Sequence, residues 1–289
     1  MIAPPKPRHF PRLKPKRLLG RKAVTVCIAA MTVEKYIVTL SDTRVGSFTS
    51  SADVSTVKLE PFAKDWLAMM AADDLTQCLS VIEKAATYFQ NRANTIQVAR
   101  HCLKRAYQNH LAEVATDRVL GRFQMSMKDF LKTGKRRFTE SKFNALCEEI
   151  RSVIADWQFL AAGFDSQGMP HLFTVEEPGQ DFVYDRPGFC AIGSGRHAAE
   201  GMLMYLGQNT VKNLYETVFN VYAAKFMAEK VDGVGKHCYL FIKKPGSTAC
   251  SIHGYVEPDI RKEWEEKCAP RISREYIDRM IREKPIKLL

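Results

Sequence analysis

The chain has 289 residues, of which 46% are hydrophobic and 26% are charged, and it carries a formal net charge of +11. This composition is typical of a globular protein and excludes an intrinsically disordered class. No run of apolar residues approaches the roughly 20 that a transmembrane helix requires, so we do not expect a protein that spans a membrane.

The positive charge is concentrated at the start of the chain. Residues 1–24 contain eight Lys or Arg residues, five prolines and no acidic residue. Removing those eight charges from the total leaves +3 for residues 25–289, so the folded part is nearly neutral. Because five prolines prevent a regular helix, we expect residues 1–24 to form a disordered basic extension. A nucleic-acid-binding function would depend on this extension alone, and we predict no specific nucleic-acid partner.

The cysteines and histidines are scattered. None of the eight cysteines forms a C-x-x-C pair, and none of the seven histidines forms an H-x-x-x-H pair. Such spacing is typical of buried thiols in a reducing compartment rather than of disulfides or a zinc site. We therefore predict a cytoplasmic protein with no metal site and no cofactor.

The first half of the chain begins with strands and continues with helices. Runs rich in β-branched residues predict the strands, and apolar residues at helical spacing predict the helices. Asp73 or Asp74 can cap the first helix, with Gln77 completing a capping box. The stretch 115–140 is basic and irregular. The predicted strands are 25–31, 36–41, 54–60 and 66–72, and the predicted helices are 75–89, 96–114 and 141–155.

In the second half, strands return, separated by turns that contain glycine or proline. They are followed by two helices, a hairpin and a charged helical tail over 257–289. Elements that come in blocks, rather than in strict alternation, favour antiparallel sheets with helices outside. No linker interrupts 25–289, so we predict a single domain with an insertion around 115–155. The predicted strands are 157–165, 171–177, 180–185, 189–195, 236–244 and 249–256, and the helices are 197–207 and 210–229.

The first hairpin places two polar residues together. A turn centred between Val33 and Glu34 would set Thr25, at the start of one strand, opposite Asp42, at the end of the other. A hydroxyl beside a carboxylate at a sheet edge is compatible with a catalytic site. Threonine is also a common strand residue and aspartate a common turn residue, so this pair alone is not specific.

Several motifs in order resemble one family. They are T-V-C-I-A from Thr25, S-D-T-R at 41–44, V-K-L at 57–59, A-M-M-A-A-D at 68–73, A-A-G-F-D-S-Q-G-M-P-H-L-F-T-V at 161–175 and A-I-G-S-G at 191–195. The pattern resembles proteasome β-type subunits, and within them the bacterial ancestral β-subunit (Anbu) group. It spans most of residues 25–245.

The resemblance implies a four-layer α-β-β-α sandwich of two antiparallel sheets, the fold of N-terminal-nucleophile hydrolases. It implies a threonine-type peptidase or amidase in which Thr25 is the nucleophile and its own α-amine is the general base. Lys58 matches the catalytic lysine, and Asp42 matches the acid that orients it. The backbone N–H of Ala72 matches the oxyanion-hole donor, and Ser194 matches the serine that supports the N-terminal amine. The implied partners are a peptide substrate and further copies of the chain, in a ring or an open helical oligomer.

The chain departs from the family pattern near the last helix-to-strand turn. Where the family has an Asp and a Ser close to the nucleophile, this sequence offers Asp232 as the stand-in. Val24, rather than glycine, precedes Thr25, which disfavours self-cleavage. Either residues 1–24 are removed in another way, or translation starts at codon 24, read as methionine. The alternative function is a catalytically inactive structural subunit of a proteasome-like assembly. Cys27 is a weaker candidate nucleophile, because a thiol two residues into a strand is expected to be buried.

Overall fold

The computed structural model describes residues 25–46, 51–53, 57–72, 74–247, 250–252 and 257–268. The predicted basic extension and the end of the predicted tail, 269–289, lie outside these residues. The described strands form two antiparallel sheets and a short ribbon. The ribbon consists of β3 (Arg44–Gly46) and β4 (Ser51–Asp53), which the sequence patterns did not predict.

The first sheet carries the strand that follows Thr25. In order of pairing, its strands are β10 (Phe189–Ile192), β1 (Cys27–Met31), β2 (Ile37–Asp42), β11 (Cys238–Lys243) and β12 (Cys250–Ile252). Strand β1 therefore lies between a near neighbour in the chain, β2, and a distant one, β10.

The second sheet packs face to face on the first. Its strands, again in order of pairing, are β5 (Leu59–Ala63), β6 (Trp66–Ala71), β7 (Gln158–Phe164), β8 (Pro170–Glu176) and β9 (Gln180–Val183). Cys27, Ala29 and Met31 of β1 join a buried cluster with Met69 and Ala71 of β6, which fills the space between the sheets.

Helices cover the outer face of each sheet. Side chains of α1 (Leu75–Phe89) and α2 (Ile96–Ala115) share a core with the second sheet, and those of α5 (Arg196–Tyr205) and α6 (Leu214–Ala228) share one with the first. Successive side chains of a strand point to opposite faces, so Ile28 and Ala30 enter the α5–α6 core while their neighbours enter the core between the sheets. The predicted α+β sandwich of two antiparallel sheets is confirmed.

Three of the helices in the described part of the chain lie outside these four layers. Residues 115–140, expected to be irregular, contain a π-helical turn (Thr116–Leu120), a 3-10 turn (Gly121–Phe123) and helix α3 (Met127–Arg137), whose N-terminus is capped by Ser126. Helix α3 pairs with α4 (Glu140–Arg151) around a small core of its own that includes Phe130 and Leu146. Helix α7 (Glu257–Glu263) and a π-helical turn (Trp264–Cys268) open the predicted C-terminal tail.

Two predicted elements need correction. Of the predicted strand 54–60, residues 54–56 lie outside the described residues, and the described strand is β5, which begins at Leu59 and continues through Pro61. A proline is tolerated there because β5 is an edge strand and needs no second ladder of N–H groups. The predicted helix 210–229 begins at Leu214, because Asn213 caps it in a capping box with Glu216. No helix among the described residues has the length and apolarity needed to cross a bilayer.

Candidate active site

Thr25 and Asp42 are brought together, but not by the predicted register. Cys27 pairs with Ser41, which places Asp42 beside Val26 rather than beside Thr25, one position away from the expectation. The turn is longer than predicted, running from Thr32 to Tyr36. The Thr25 side chain still reaches Asp42, because Thr25 precedes the first strand residue and is not bound by strand alternation. Its hydroxyl donates a hydrogen bond to Oδ1 of Asp42.

Lys58 completes a buried cluster of three polar groups. It lies just before β5, and its ammonium donates to the Thr25 hydroxyl and, at 2.8 Å, to Oδ1 of Asp42. The residues are almost completely inaccessible: Thr25 and Lys58 are 2% exposed and Asp42 is 0% exposed. Because a buried charge is costly unless it is paired, the ammonium and the carboxylate depend on each other here. The Thr25 hydroxyl lies between them, in contact with both charges.

Ser194 holds the backbone of Thr25. The Thr25 N–H donates to Oγ of Ser194 at 3.2 Å, and that hydroxyl lies 3.3 Å from the Thr25 carbonyl oxygen, to which it donates. The N–H of Gly195 donates to the same carbonyl at 3.2 Å. Gly193 adopts a φ of +89°, and a Cβ there would collide with the Thr25 carbonyl. Glycine is therefore required for this turn to approach Thr25 so closely.

Ala72 lies directly after the last residue of β6, and it is 8% exposed. Two contacts relate this end of the strand to the rest of the site. The Met70 N–H donates to the carbonyl of Lys58 at 3.0 Å, and Ala71 pairs with Gln158, the first residue of β7. Oε1 of Gln158 accepts a hydrogen bond from the N–H of Gly193 at 2.8 Å. This side chain, which sequence reasoning missed, therefore connects the end of β6 to the turn that supports Thr25.

Asp232 is exposed, and no hydrogen bond among the described residues joins it to Thr25. The same turn contributes a different group. The N–H of Gly235 donates to Oδ2 of Asp42 at 2.8 Å. Asp42 thus accepts bonds from Lys58, Thr25 and Val26 at Oδ1 and from Gly235 at Oδ2. The only sequence signal for this contact is the glycine itself, since a Cβ there would lie 2.8 Å from the Cβ of Arg44.

Cys27 does not share the site, although it is two residues from Thr25. Its thiol points between the sheets and lies 3.5 Å from the Met70 carbonyl oxygen, to which it donates. Burial raises the pKa of the Cys27 thiol to about 12, with a smaller opposing effect from Lys58. A thiol is nucleophilic only as a thiolate, so this one is inert at neutral pH. No cluster of His, Cys, Asp and Glu suited to a metal ion occurs in the described part of the chain.

Comparisons of this chain with known proteins give matches by structure but none by sequence. No protein-family model and no curated protein matches the chain. Solved structures do match, in 551 chains. A Gly-1 mutant of Anbu from Hyphomicrobium sp. strain MC1 aligns over 91% of this chain and 99% of that chain, with a TM-score of 0.57 and 13% sequence identity. At this identity the likeness shows a shared fold.

Proposed function

We propose that the chain is a proteasome-like threonine-type peptidase or amidase that becomes active when Thr25 is the N-terminal residue. The observation that carries the proposal is the buried contact of the Thr25 hydroxyl with both Lys58 and Asp42. An ammonium that a carboxylate holds against a hydroxyl can stabilise the alkoxide that forms as the hydroxyl loses its proton. The Anbu-like fold supports the same chemistry.

Each residue has a role in this proposal. The free α-amine of Thr25 takes the hydroxyl proton, since an unperturbed α-amine titrates at about 7.7–8.0 and is partly neutral at physiological pH. The hydroxyl oxygen then attacks the carbonyl of a peptide bond. Lys58 stabilises the developing negative charge, and Asp42 keeps the ammonium in place. Ser194 holds the amine, and the N–H of Ala72 donates to the oxyanion.

The basic extension decides whether this chemistry is available. While residues 1–24 are attached, the Thr25 nitrogen is an amide and cannot accept a proton. Losing the general base lowers the rate by about 10²–10⁴-fold. Active protein therefore begins at Thr25. Either residues 1–24 are removed, or translation starts at codon 24, read as methionine, and that methionine is then removed. A chain that keeps the extension would instead be a structural subunit of a proteasome-like assembly, which is the second candidate function.

The test compares single threonine variants of a chain that begins at Thr25. That chain is obtained by placing an initiator methionine before Thr25, which aminopeptidase removes, and it keeps every described residue. The assay is hydrolysis of a panel of fluorogenic peptide amides. We expect Thr25→Ala to abolish turnover, and a threonine-directed electrophile to add its mass to Thr25. Thr39→Ala is the matched control, since Thr39 is a buried strand threonine outside the site. Equal turnover by Thr25→Ala and the parent would refute the proposal.

Assembly is part of the same proposal. An N-terminal threonine that any protein could reach would cut cellular proteins indiscriminately, and enclosure within a ring prevents this. We propose a homo-oligomer of about six or more subunits with closed or helical symmetry. Light scattering on the chain that begins at Thr25 measures its mass. A monodisperse monomer at micromolar concentration would argue for a stand-alone amidase instead.

A further inference from the structure

A second lysine is buried near the site without taking part in the proposed chemistry. Lys225 of α6 is 0% exposed, and its ammonium donates hydrogen bonds to Glu229, one turn later, and to the backbone carbonyl of Lys236. Removing an ammonium from water is costly, so a buried one persists only where its donors are met. The two acceptors of Lys225 are thereby fixed in position.

Helix α7 supplies further charged groups that compensate for the burial of the Lys225 ammonium. Arg261 donates two hydrogen bonds to Glu229, both 2.9 Å, and one of 2.8 Å to Glu257. Its guanidinium also lies 4.1 Å from the centre of the Phe226 ring. Burial acts to raise the pKa of Glu229, but the bonds from Arg261 and the charge of Lys225 outweigh it and lower that pKa. Two cations and two anions therefore form a neutral, partly buried quartet, which we call the α6–α7 ion cluster.

The α6–α7 ion cluster contacts the same turn that binds the carboxylate of Asp42. Lys225 holds the carbonyl of Lys236, and Lys236 follows directly after Gly235, whose N–H donates to Oδ2 of Asp42. One peptide unit, between Gly235 and Lys236, separates the two groups, so the Lys236 carbonyl restrains the Gly235 N–H through this short length of backbone. In this way a buried charge on α6 is connected to Asp42 through one backbone turn.

The other end of the turn is held by contacts with β2 and with α7. The carbonyl of His237 accepts a bond from the N–H of Thr43 at 3.0 Å. Cys238 then pairs directly with Asp42 in the β2–β11 register, and its thiol donates to Glu257 of α7 at 3.4 Å. Helix α7 thus contacts the turn through both the ion cluster and the first residue of β11.

A purely stabilising role does not explain why ionic groups occupy this place. Apolar residues of similar volume are often as stabilising as a buried ion pair, or more so, because they carry no desolvation cost. What an ammonium provides, and an apolar side chain cannot, is a donor with a defined direction toward the Lys236 carbonyl. We propose that Lys225, supported by α7, is a positioning residue for Asp42. This inference rests on the proposed function, in which Asp42 orients Lys58.

The first test needs no catalytic activity and uses the full 289-residue chain. The double variant Lys225→Met, Glu229→Gln removes one cation and one anion, so no charge is left unbalanced. We expect amide hydrogen exchange in the segment 231–238 to become at least tenfold faster. The control Arg100→Met, Asp181→Asn also removes one cation and one anion, from a distant ion cluster of α2 and β9 that includes Lys104. This control should leave exchange in 231–238 as in the parent.

The second test is kinetic and uses the chain that begins at Thr25. We expect the Lys225→Met, Glu229→Gln variant to lower kcat by about tenfold or more at an unchanged KM, since small misplacements of catalytic groups act on the chemical step. If that variant does not fold, Glu257→Gln, Arg261→Met removes the other pair, from the more exposed helix, and should change exchange and kcat in the same direction.

The outcomes separate this inference from the proposed function. Thr25-dependent turnover with a parental kcat in the folded double variants would overturn the positioning role alone. Parental exchange in 231–238 would do the same. If Thr25→Ala proves as active as the parent, the proposed function fails, and the exchange measurement still decides whether Lys225 fixes the turn that contacts Asp42.

Discussion

Oγ of Ser194 lies 3.2 Å from the backbone nitrogen of Thr25, so the nitrogen that would become the free amine already has a defined partner. We predict that protein purified from its natural source begins at Thr25. Intact-mass measurement, with N-terminal sequencing as a check, decides this. A mass that corresponds to residues 1–289 would instead support the structural-subunit function.

Removing the Lys58 ammonium is predicted to affect both turnover and stability. Lys58→Met leaves Asp42 buried without its cation, and breaking such a pair costs about 3–5 kcal/mol of unfolding free energy. Turnover should fall by about 10²-fold or more. Adding Asp42→Asn should restore much of the stability without restoring turnover. Urea denaturation and the peptide-amide assay measure the two effects, and Lys64→Met, at an exposed turn, is the control. Recovery of turnover in the double variant would contradict the proposed roles.

A side chain at position 193 is predicted to displace Thr25. Gly193→Ala forces a residue with a Cβ to adopt a φ of +89°. The new Cβ would also collide with the Thr25 carbonyl oxygen and lie 2.9 Å from Cγ2 of Thr25. We expect a loss of about 1–3 kcal/mol in unfolding free energy, together with a strong loss of turnover. Gly201→Ala is the matched control, because no atom apart from its chain neighbours and the backbone of its own helix lies within 4 Å of its added Cβ. That helical substitution should stabilise the protein by up to about 1 kcal/mol. Normal turnover in Gly193→Ala would show that the turn is not part of the site.

Cys27 is predicted to be chemically silent. With burial raising the pKa of its thiol to about 12, only about 10⁻⁴ of it is ionised at pH 8. Iodoacetamide at pH 8 should therefore leave Cys27 unmodified in the folded protein, while Cys147, which is partly exposed, reacts. Peptide mapping by mass spectrometry reports both sites. Cys27→Ala should keep most of the turnover. If this variant lost turnover, Cys27 would again be a candidate nucleophile.

His171 is predicted to make stability depend on pH. Burial acts to lower the pKa of His171, but Asp185, at 2.7 Å, and Asp165, at 3.4 Å, outweigh it and raise that pKa. A raised folded-state pKa gives a stabilising contribution that is complete below the unfolded value of about 6.5 and is lost as pH rises through the folded value. The destabilisation caused by His171→Gln should thus be larger at pH 6 than at pH 9. Denaturation at both pH values, with the exposed His101→Gln as control, measures it; an equal effect at both would contradict the prediction.

Much of the fold could be predicted from local patterns. Strands such as β1 and β6 are buried on both faces and read as continuous apolar runs, and α2 follows helical spacing closely. Helix α3 was missed because its exposed face is dominated by basic residues and its apolar contacts are made with α4, which no local pattern reveals. The capping box expected at Gln77 was also wrong, because this side chain instead contacts His110 on α2.

The candidate site was predictable only in part. Thr25, Asp42 and Lys58 belong to neighbouring segments with recognisable motifs, and their proximity follows from the first strands. A one-position error in the hairpin arose because turn length is set by backbone geometry, here Lys35 with a φ of +62°, and that geometry leaves no apolar pattern. Gln158, Gly235 and Lys225 each make a hydrogen bond between a backbone group and a side chain of another segment. Such contacts depend on tertiary structure and carry no local signal.

The first sheet also sets an order of events during synthesis. Its opening hairpin, β1–β2, is local and can form within microseconds. The Gly235 N–H that binds Asp42 is 193 residues further along the chain. At about 5–20 residues per second, a ribosome needs on the order of 10–40 s to add that length. A nascent chain therefore carries its threonine for tens of seconds before the groups around it are complete. Under the proposed function, the Asp42 carboxylate therefore lacks one of its hydrogen-bond donors for most of the time that the chain is being synthesised.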